Sequence, residues 1–161
     1  MTRRGKLLAA TLAALVFLGG LLSGCGQSPS TDSLKGPAKE AASAVRTASL
    51  AVDLRLQERA TAAAGTTTAD DMLKGMQSAT DELESFGAKT QEEQSLRDSM
   101  LTCFSTISRS LLHARDALAA PNSAPDGGKN LAGSVQLPAV QGELRTATEQ
   151  LDALMTKAGI Q

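Results

Sequence analysis

The stretch that decides the fold is residues 90–119, which read TQEEQSLRDSMLTCFSTISRSLLHARDALA. Thr90 places a hydroxyl before the first turn and Glu93 follows three residues later, a spacing typical of the capping box at a helix start. Apolar residues then recur every three or four positions, which predicts one long amphipathic helix with a buried stripe. Pro121 follows Ala119 closely and cannot continue the helix. The stripe consists of Leu96, Met100, Cys103, Phe104, Ile107, Leu111 and Leu118.

The same periodicity predicts three further helices on either side of this stretch. Pro37 and Pro138 each suit the first position of a helix, because the N–H that proline lacks is not needed there. Thr68 supplies a hydroxyl that can cap another helix start. A glycine follows the predicted end of each of these three helices. The four predicted helices therefore span about residues 37–64, 69–86, 91–119 and 138–158.

Four amphipathic helices joined by two short links and one long one predict an all-α fold, an antiparallel four-helix bundle. The composition agrees, because alanine is abundant and aromatic residues make up only 2% of the chain, which favours helix over sheet. Residues 120–137 hold two prolines and the pair Gly127-Gly128, and they are predicted to form the long irregular loop. The bundle is predicted to span residues 37–161.

The start of the chain has the three parts of a secretory signal peptide. Three basic residues lie among the first six, an uncharged apolar run follows over Leu7–Leu22, and Ser23-Gly24 precede Cys25. Because the basic residues stay on the cytoplasmic side, the chain after the apolar run is predicted to be translocated. The alternative is an uncleaved transmembrane helix, which the pair Gly19-Gly20 disfavours.

The four residues Leu22-Ser23-Gly24-Cys25 resemble the lipobox of the bacterial lipoprotein family, which reads Leu-[Ala/Ser]-[Gly/Ala]-Cys. The resemblance implies that the chain is cleaved between Gly24 and Cys25 and that the Cys25 thiol carries a diacylglycerol. It also implies that the new amino group can be acylated, and two or three acyl chains anchor a protein stably. We therefore expect a lipid-anchored protein on the extracytoplasmic face of the cell membrane, or on the outer membrane of a Gram-negative cell.

The predicted organisation therefore has three parts. Residues 1–24 form the cleaved signal peptide, residues 25–36 form the lipidated cysteine and a flexible polar tether, and residues 37–161 form the bundle. The chain has 16 Lys and Arg against 17 Asp and Glu, and three of the basic residues lie in the signal peptide. The mature chain keeps 13 basic against 17 acidic residues. This acidic balance argues against a nucleic-acid partner, which requires a basic face.

The single histidine, His113, lies off the apolar stripe of its helix. A catalytic or zinc-binding histidine needs a second ligand or an acid–base partner, and none of the usual spacings for either is present. His113 is therefore predicted to be a solvent-exposed residue without a catalytic role. The acidic cluster Asp81, Glu82 and Glu84 is predicted to be a solvated helix face.

Four sulfur-containing residues offer one metal hypothesis. Met72 and Met76 lie one turn apart on one predicted helix, as Met100 and Cys103 do on the next, and soft sulfur ligands select Cu(I). All four also lie on predicted core stripes, where methionine fills gaps and free cysteine behaves as a small apolar residue. Core packing is therefore the favoured interpretation, and neither a metal nor another cofactor is predicted.

The function favoured by these patterns is a non-enzymatic interaction or accessory module of the cell envelope, with the membrane and an envelope protein as its partners. One alternative is a lipoprotein that holds a small apolar ligand between its helices, and the least favoured is a copper chaperone using the four sulfurs. An enclosed apolar cavity would favour the ligand binder, whereas a filled core with an exposed apolar patch would favour the interaction module.

Overall fold

The structure, a computed structural model, describes residues 29–120 and 131–160, with side chains for 32–120 and 136–160. These residues form four helices, with no strand among them, which confirms the predicted all-α four-helix bundle. The helices are α1 (Pro29–Leu56), α2 (Ala62–Ser85), α3 (Gln91–Ala119) and α4 (Leu131–Lys157).

Neighbouring helices run antiparallel. Contacts between them join early residues of one helix to late residues of the next. Helix α1 also contacts α3 across one diagonal, whereas the described parts of α2 and α4 do not contact each other. The pairs that show the direction are Gly36 with Glu82, Asp70 with Arg115, His113 with Glu143, and Asp53 with Gln141.

The core is built from a few large side chains set among many alanines. Helix α3 contacts all three other helices and supplies the largest share of the large residues. Alanines let the helix backbones approach closely but each removes little apolar area from water, so burial energy comes mainly from the large residues. The largest fully buried side chains are Phe104, Leu34, Met76, Leu83, Met100, Ile107, Leu111, Leu118, Leu144, Leu151, Val45 and Val52.

Helix α3 has the predicted bounds and the predicted cap. The Glu93 backbone N–H donates to Thr90 Oγ1 at 3.1 Å, and the Thr90 backbone N–H donates to Glu93 Oε2 at 3.2 Å. These two bonds form the capping box and satisfy two N–H groups that a helix start otherwise leaves free. The local pattern was therefore sufficient to locate this helix.

Helix α1 begins earlier than predicted, at Pro29, and Pro37 lies inside it. The predicted start at residue 37 is therefore wrong, and residues 29–36, predicted to belong to the tether, are helical. Leu34 explains the extension, because it continues the buried stripe one turn before Ala38 and is only 1% exposed. Burying a leucine stabilises the fold by roughly 1.5 to 3 kcal/mol, which offsets the cost of proline in the helix.

The link between α1 and α2 also differs from the prediction. Helix α1 ends at Leu56 and α2 begins at Ala62, so the predicted bounds at residues 64 and 69 are wrong. The N-cap of α2 is Thr61, whose Oγ1 accepts from the Ala64 N–H at 3.2 Å. Thr68, the predicted cap, instead donates its hydroxyl to the Ala64 carbonyl inside α2.

Helix α1 stops because Glu58 adopts a left-handed backbone conformation, with φ of 57°. The Glu58 N–H donates to the Arg55 carbonyl at 3.1 Å, and the Arg59 N–H donates to the Leu54 carbonyl at 2.8 Å. This is the Schellman arrangement, in which the left-handed position is usually glycine. A glutamate there carries a steric cost that glycine does not.

Replacing Glu58 by glycine should therefore stabilise the protein. We expect Glu58→Gly to raise the free energy of unfolding by about 0.5 to 1 kcal/mol, since glycine adopts positive φ without a Cβ clash. Urea denaturation followed by circular dichroism measures the change. Glu58→Ala is the matched control, and it should give no such gain because alanine keeps the Cβ. Equal stabilisation by both variants would contradict the proposed backbone origin.

Helix α4 also begins before its predicted start, at Leu131, with Pro138 inside the helix. Residues 131–137 of the predicted loop are therefore helical, while 121–130 lie outside the described residues. Leu137 is 6% exposed, and its burial beside the core favours helix before the proline. The predicted stop at Gly159 is confirmed, since Gly159 has φ of 69° and Ile160 packs into the core after it.

Over the part of the chain that the structure describes, no helix combines the length and the apolar character needed to cross a bilayer. The predicted signal peptide, its cleavage site and Cys25 all lie outside the described residues. They stay predictions from the sequence.

Candidate functional site

The candidate site is a surface groove between α3 and α4, here called the α3–α4 groove. Its volume is about 590 Å³, and it is open to solvent along the seam of the two antiparallel helices. A smaller groove of about 280 Å³ adjoins it and shares two of its residues. The α3–α4 groove is lined by Thr106, Arg109, Ser110, His113, Gly142, Glu143, Arg145, Thr146 and Ala147.

His113 has a partner that the sequence did not reveal. Its Nδ1 lies 2.9 Å from Glu143 Oε2 of α4, a separation at which the ring N–H donates to the carboxylate. The two side chains are 52% and 43% exposed, so the predicted exposure of His113 is confirmed. The sequence spacing could not identify Glu143 as this partner, because 30 residues separate it from His113 and only the packing of α3 against α4 brings the two together.

Ser110 lies in the same groove and is unusual for its burial. The residue is only 5% exposed, and its hydroxyl makes no hydrogen bond with any residue the structure describes. In particular it makes none with His113, although a nucleophilic serine would need a base within hydrogen-bond reach. The arrangement of Ser110, His113 and Glu143 therefore lacks the contact through which a histidine activates a serine.

Two arginines face the groove from opposite helices. Arg145 Nε lies 3.9 Å from Glu149 Oε1, and both side chains are highly exposed, so this ion pair contributes little. Arg109 is exposed and forms no ion pair or hydrogen bond within the described residues. The groove therefore carries one guanidinium that is weakly paired and one that is free.

The four sulfur residues of the copper hypothesis lie in or against the core. Met76 and Met100 are 0% exposed, Cys103 is 5% exposed, and Met72 is partly buried against the same cluster. Burial raises the pKa of the Cys103 thiol above its ordinary value, which keeps it protonated and a poor ligand or nucleophile. Among the residues that the structure describes, no group of three His, Cys, Asp or Glu could hold a metal ion.

The acidic cluster on α2 is exposed, as predicted for Asp81, Glu82 and Glu84. Glu82 crosses to α1, where its Oε1 would lie 3.2 Å from a Cβ added at Gly36. The cluster therefore borders the α1–α2 contact and does not converge on a site.

Arg55 is a buried cation in the last turn of α1. It is 9% exposed, its Nη2 donates to the Ala120 carbonyl at 3.4 Å, and its Nε has no partner. A guanidinium at the carboxyl end of α3 interacts favourably with the helix dipole, which gives Arg55 a structural role. The signal was present in the sequence, since Arg55 follows Val45, Ala48 and Val52 at the same helical spacing.

Comparison of the chain with known protein families, curated proteins and solved structures gave no match.

Proposed function

We propose that this protein is a bacterial lipoprotein whose helical bundle acts as a non-enzymatic interaction module on the extracytoplasmic face of the membrane. The observation that carries the proposal is the match of Leu22-Ser23-Gly24-Cys25 to a lipobox at the end of an apolar run. The lipid on Cys25 is the anchor, and the bundle is the part that contacts a protein of the envelope.

The bounds of α1 give this anchor a geometric consequence. Only three residues separate Cys25 from Pro29, where α1 begins. Four steps along an extended chain span at most about 14 Å, so the bundle is held close to the membrane rather than on a long tether. With the bundle axis taken along the membrane normal, the start of α1 and the α2–α3 link face the lipid, and the opposite end projects about 40 Å outward, given 1.5 Å per helical residue.

The described core supports an interaction module over an apolar-ligand binder. Its large side chains are fully buried against one another, and the grooves lined by described residues are open at the surface. Arginine, glutamate and threonine line the largest of these grooves, which does not suit an apolar ligand. An apolar ligand between the helices stays the alternative hypothesis, and a copper chaperone is the least favoured.

The test of the anchor is Cys25→Ser in the native cell. We expect this variant to lose incorporation of labelled fatty acid and to accumulate as uncleaved precursor, because serine cannot supply the thiol that the lipid requires. Labelling and electrophoretic mobility are the measurements. Cys103→Ser removes the other cysteine and is the matched control, which should be labelled and cleaved normally. Normal labelling and cleavage of Cys25→Ser would refute the lipoprotein assignment.

A further inference from the structure

We propose that the α3–α4 groove binds the phosphate group of a soluble ligand, held by Arg109, Arg145 and the Ser110 hydroxyl. The two guanidiniums lie on helices that face each other across the groove. Arginine suits this role, because its planar set of N–H donors matches the oxygens of a phosphate.

The charges in the groove favour an anion. Arg109 has no partner among the described residues, and Arg145 is paired only at 3.9 Å with the exposed Glu149. The one carboxylate within the groove is that of Glu143, which accepts from His113 and is therefore turned toward the ring. The guanidiniums of Arg109 and Arg145 thus remain open to an anionic ligand.

Ser110 supplies an independent argument. Ser110 is 5% exposed as a residue and its hydroxyl has no hydrogen-bond partner among the described residues, yet Oγ is not one of the fully enclosed polar atoms, so the hydroxyl faces the solvent of the groove. The other two hydroxyls of the groove donate to helix carbonyls, from Thr106 to Thr102 and from Thr146 to Gly142. Ser110 is therefore the one hydroxyl of the groove whose hydrogen is uncommitted, and a phosphate oxygen is a suitable acceptor for it.

The groove also has room for the ligand. Its volume of about 590 Å³ lies within the range of small-molecule sites. Gly142 forms part of its wall, and a Cβ added there would meet nothing within 4 Å. A phosphorylated small molecule therefore fits against the α4 backbone without displacement of a side chain at this position.

Two sources could supply such a phosphate, a lipid headgroup or a soluble phosphate monoester. If the chain is anchored at Cys25 as proposed above, the start of α3 lies at the membrane end of the bundle, because α1 and α3 are parallel. Arg109 lies 18 residues after Gln91, which places it about 27 Å along the helix axis. With the bundle upright, headgroups of the anchoring membrane do not reach that far, and the soluble monoester is the ligand that we assign.

The test is titration of the full-length detergent-solubilised protein with inorganic phosphate and with glycerol 3-phosphate, by calorimetry at constant ionic strength. We expect saturable binding that weakens about tenfold or more in Arg109→Gln, Arg145→Gln and Ser110→Ala, since each removes a bond to a charged group. Arg97→Gln removes the same charge from α3 outside the groove and should change the dissociation constant less than twofold. Circular dichroism confirms that each variant is folded.

Three outcomes would overturn the proposal. They are no binding by the unmodified protein, equal weakening by Arg97→Gln and Arg109→Gln, and tighter binding of glycerophosphoglycerol, the deacylated headgroup of phosphatidylglycerol. The last would assign the site to a lipid. None of these measurements depends on lipidation, so failure here with normal labelling of Cys25 would leave the proposed function standing.

Discussion

Phe104→Ala is expected to lower the free energy of unfolding by about 3 to 5 kcal/mol, the range for removing a fully buried aromatic side chain. Phe104 is 0% exposed and lies on α3, one of the two helices that contact all three others. Because alanines fill so much of this core, few large neighbours can move into the space that the ring leaves. A small domain has only about 5 to 15 kcal/mol of total stability, so the loss is a large fraction of it.

Denaturation by urea, followed by circular dichroism, measures this effect. Leu50→Ala is the control, because Leu50 is 57% exposed and its truncation should change the stability by less than about 0.5 kcal/mol. The contrast tests the packing itself, since both changes replace a large apolar residue of a helix by alanine. A cost for Phe104→Ala no larger than that for Leu50→Ala would contradict the described core.

Gly65→Ala is expected to lower the free energy of unfolding by about 1 to 2 kcal/mol, although alanine is the better helix former. Gly65 is buried in the first turns of α2, where a Cβ would lie 3.0 Å from Leu118 Cδ2 and 3.4 Å from Leu118 Cβ. Leu118 is itself fully buried, so a shift of its side chain would press on the closely packed core around it. The close approach of α2 to α3 therefore requires glycine at this position.

Gly142→Ala is the matched comparison for Gly65→Ala. Gly142 also lies inside a helix, but a Cβ there would meet nothing within 4 Å. Alanine should therefore raise the stability by about 0.5 to 1 kcal/mol, the gain in helix propensity alone. Melting curves of the two variants should move in opposite directions. A shift of both in the same direction would show that the α2–α3 contact at Gly65 is not tight.

The prediction for Gly65 also shows where local signals mislead. From the sequence, Gly65 is predicted to stop the first helix, because glycine commonly follows a helix end. In the structure this glycine lies inside α2, and its small size serves packing against Leu118. The actual stop is Glu58, a residue type that gives no signal for a left-handed conformation.

The two internal prolines misled in the same way. The sequence predicts Pro37 and Pro138 as first helical positions, yet α1 and α4 begin before them. In each helix a leucine N-terminal to the proline is buried, Leu34 in α1 and Leu137 in α4. Burying these side chains in the core stabilises the helical conformation before each proline, and helix propensity alone does not include this contribution.

The sequence by itself was sufficient for the fold class and for all of α3, because capping boxes and apolar stripes are local features that need no neighbour. It also predicts Cys25 as the anchor, through four consecutive residues. Only the tertiary structure decided which residues outside the apolar stripes lie close together. It places Arg109, Ser110 and His113 of α3 in one groove with two residues of α4, Glu143 and Arg145. The periodicity of the sequence shows that a residue lies outside the apolar stripe of its own helix. Which other helix lies beside that residue depends on how the apolar faces of all four helices pack together.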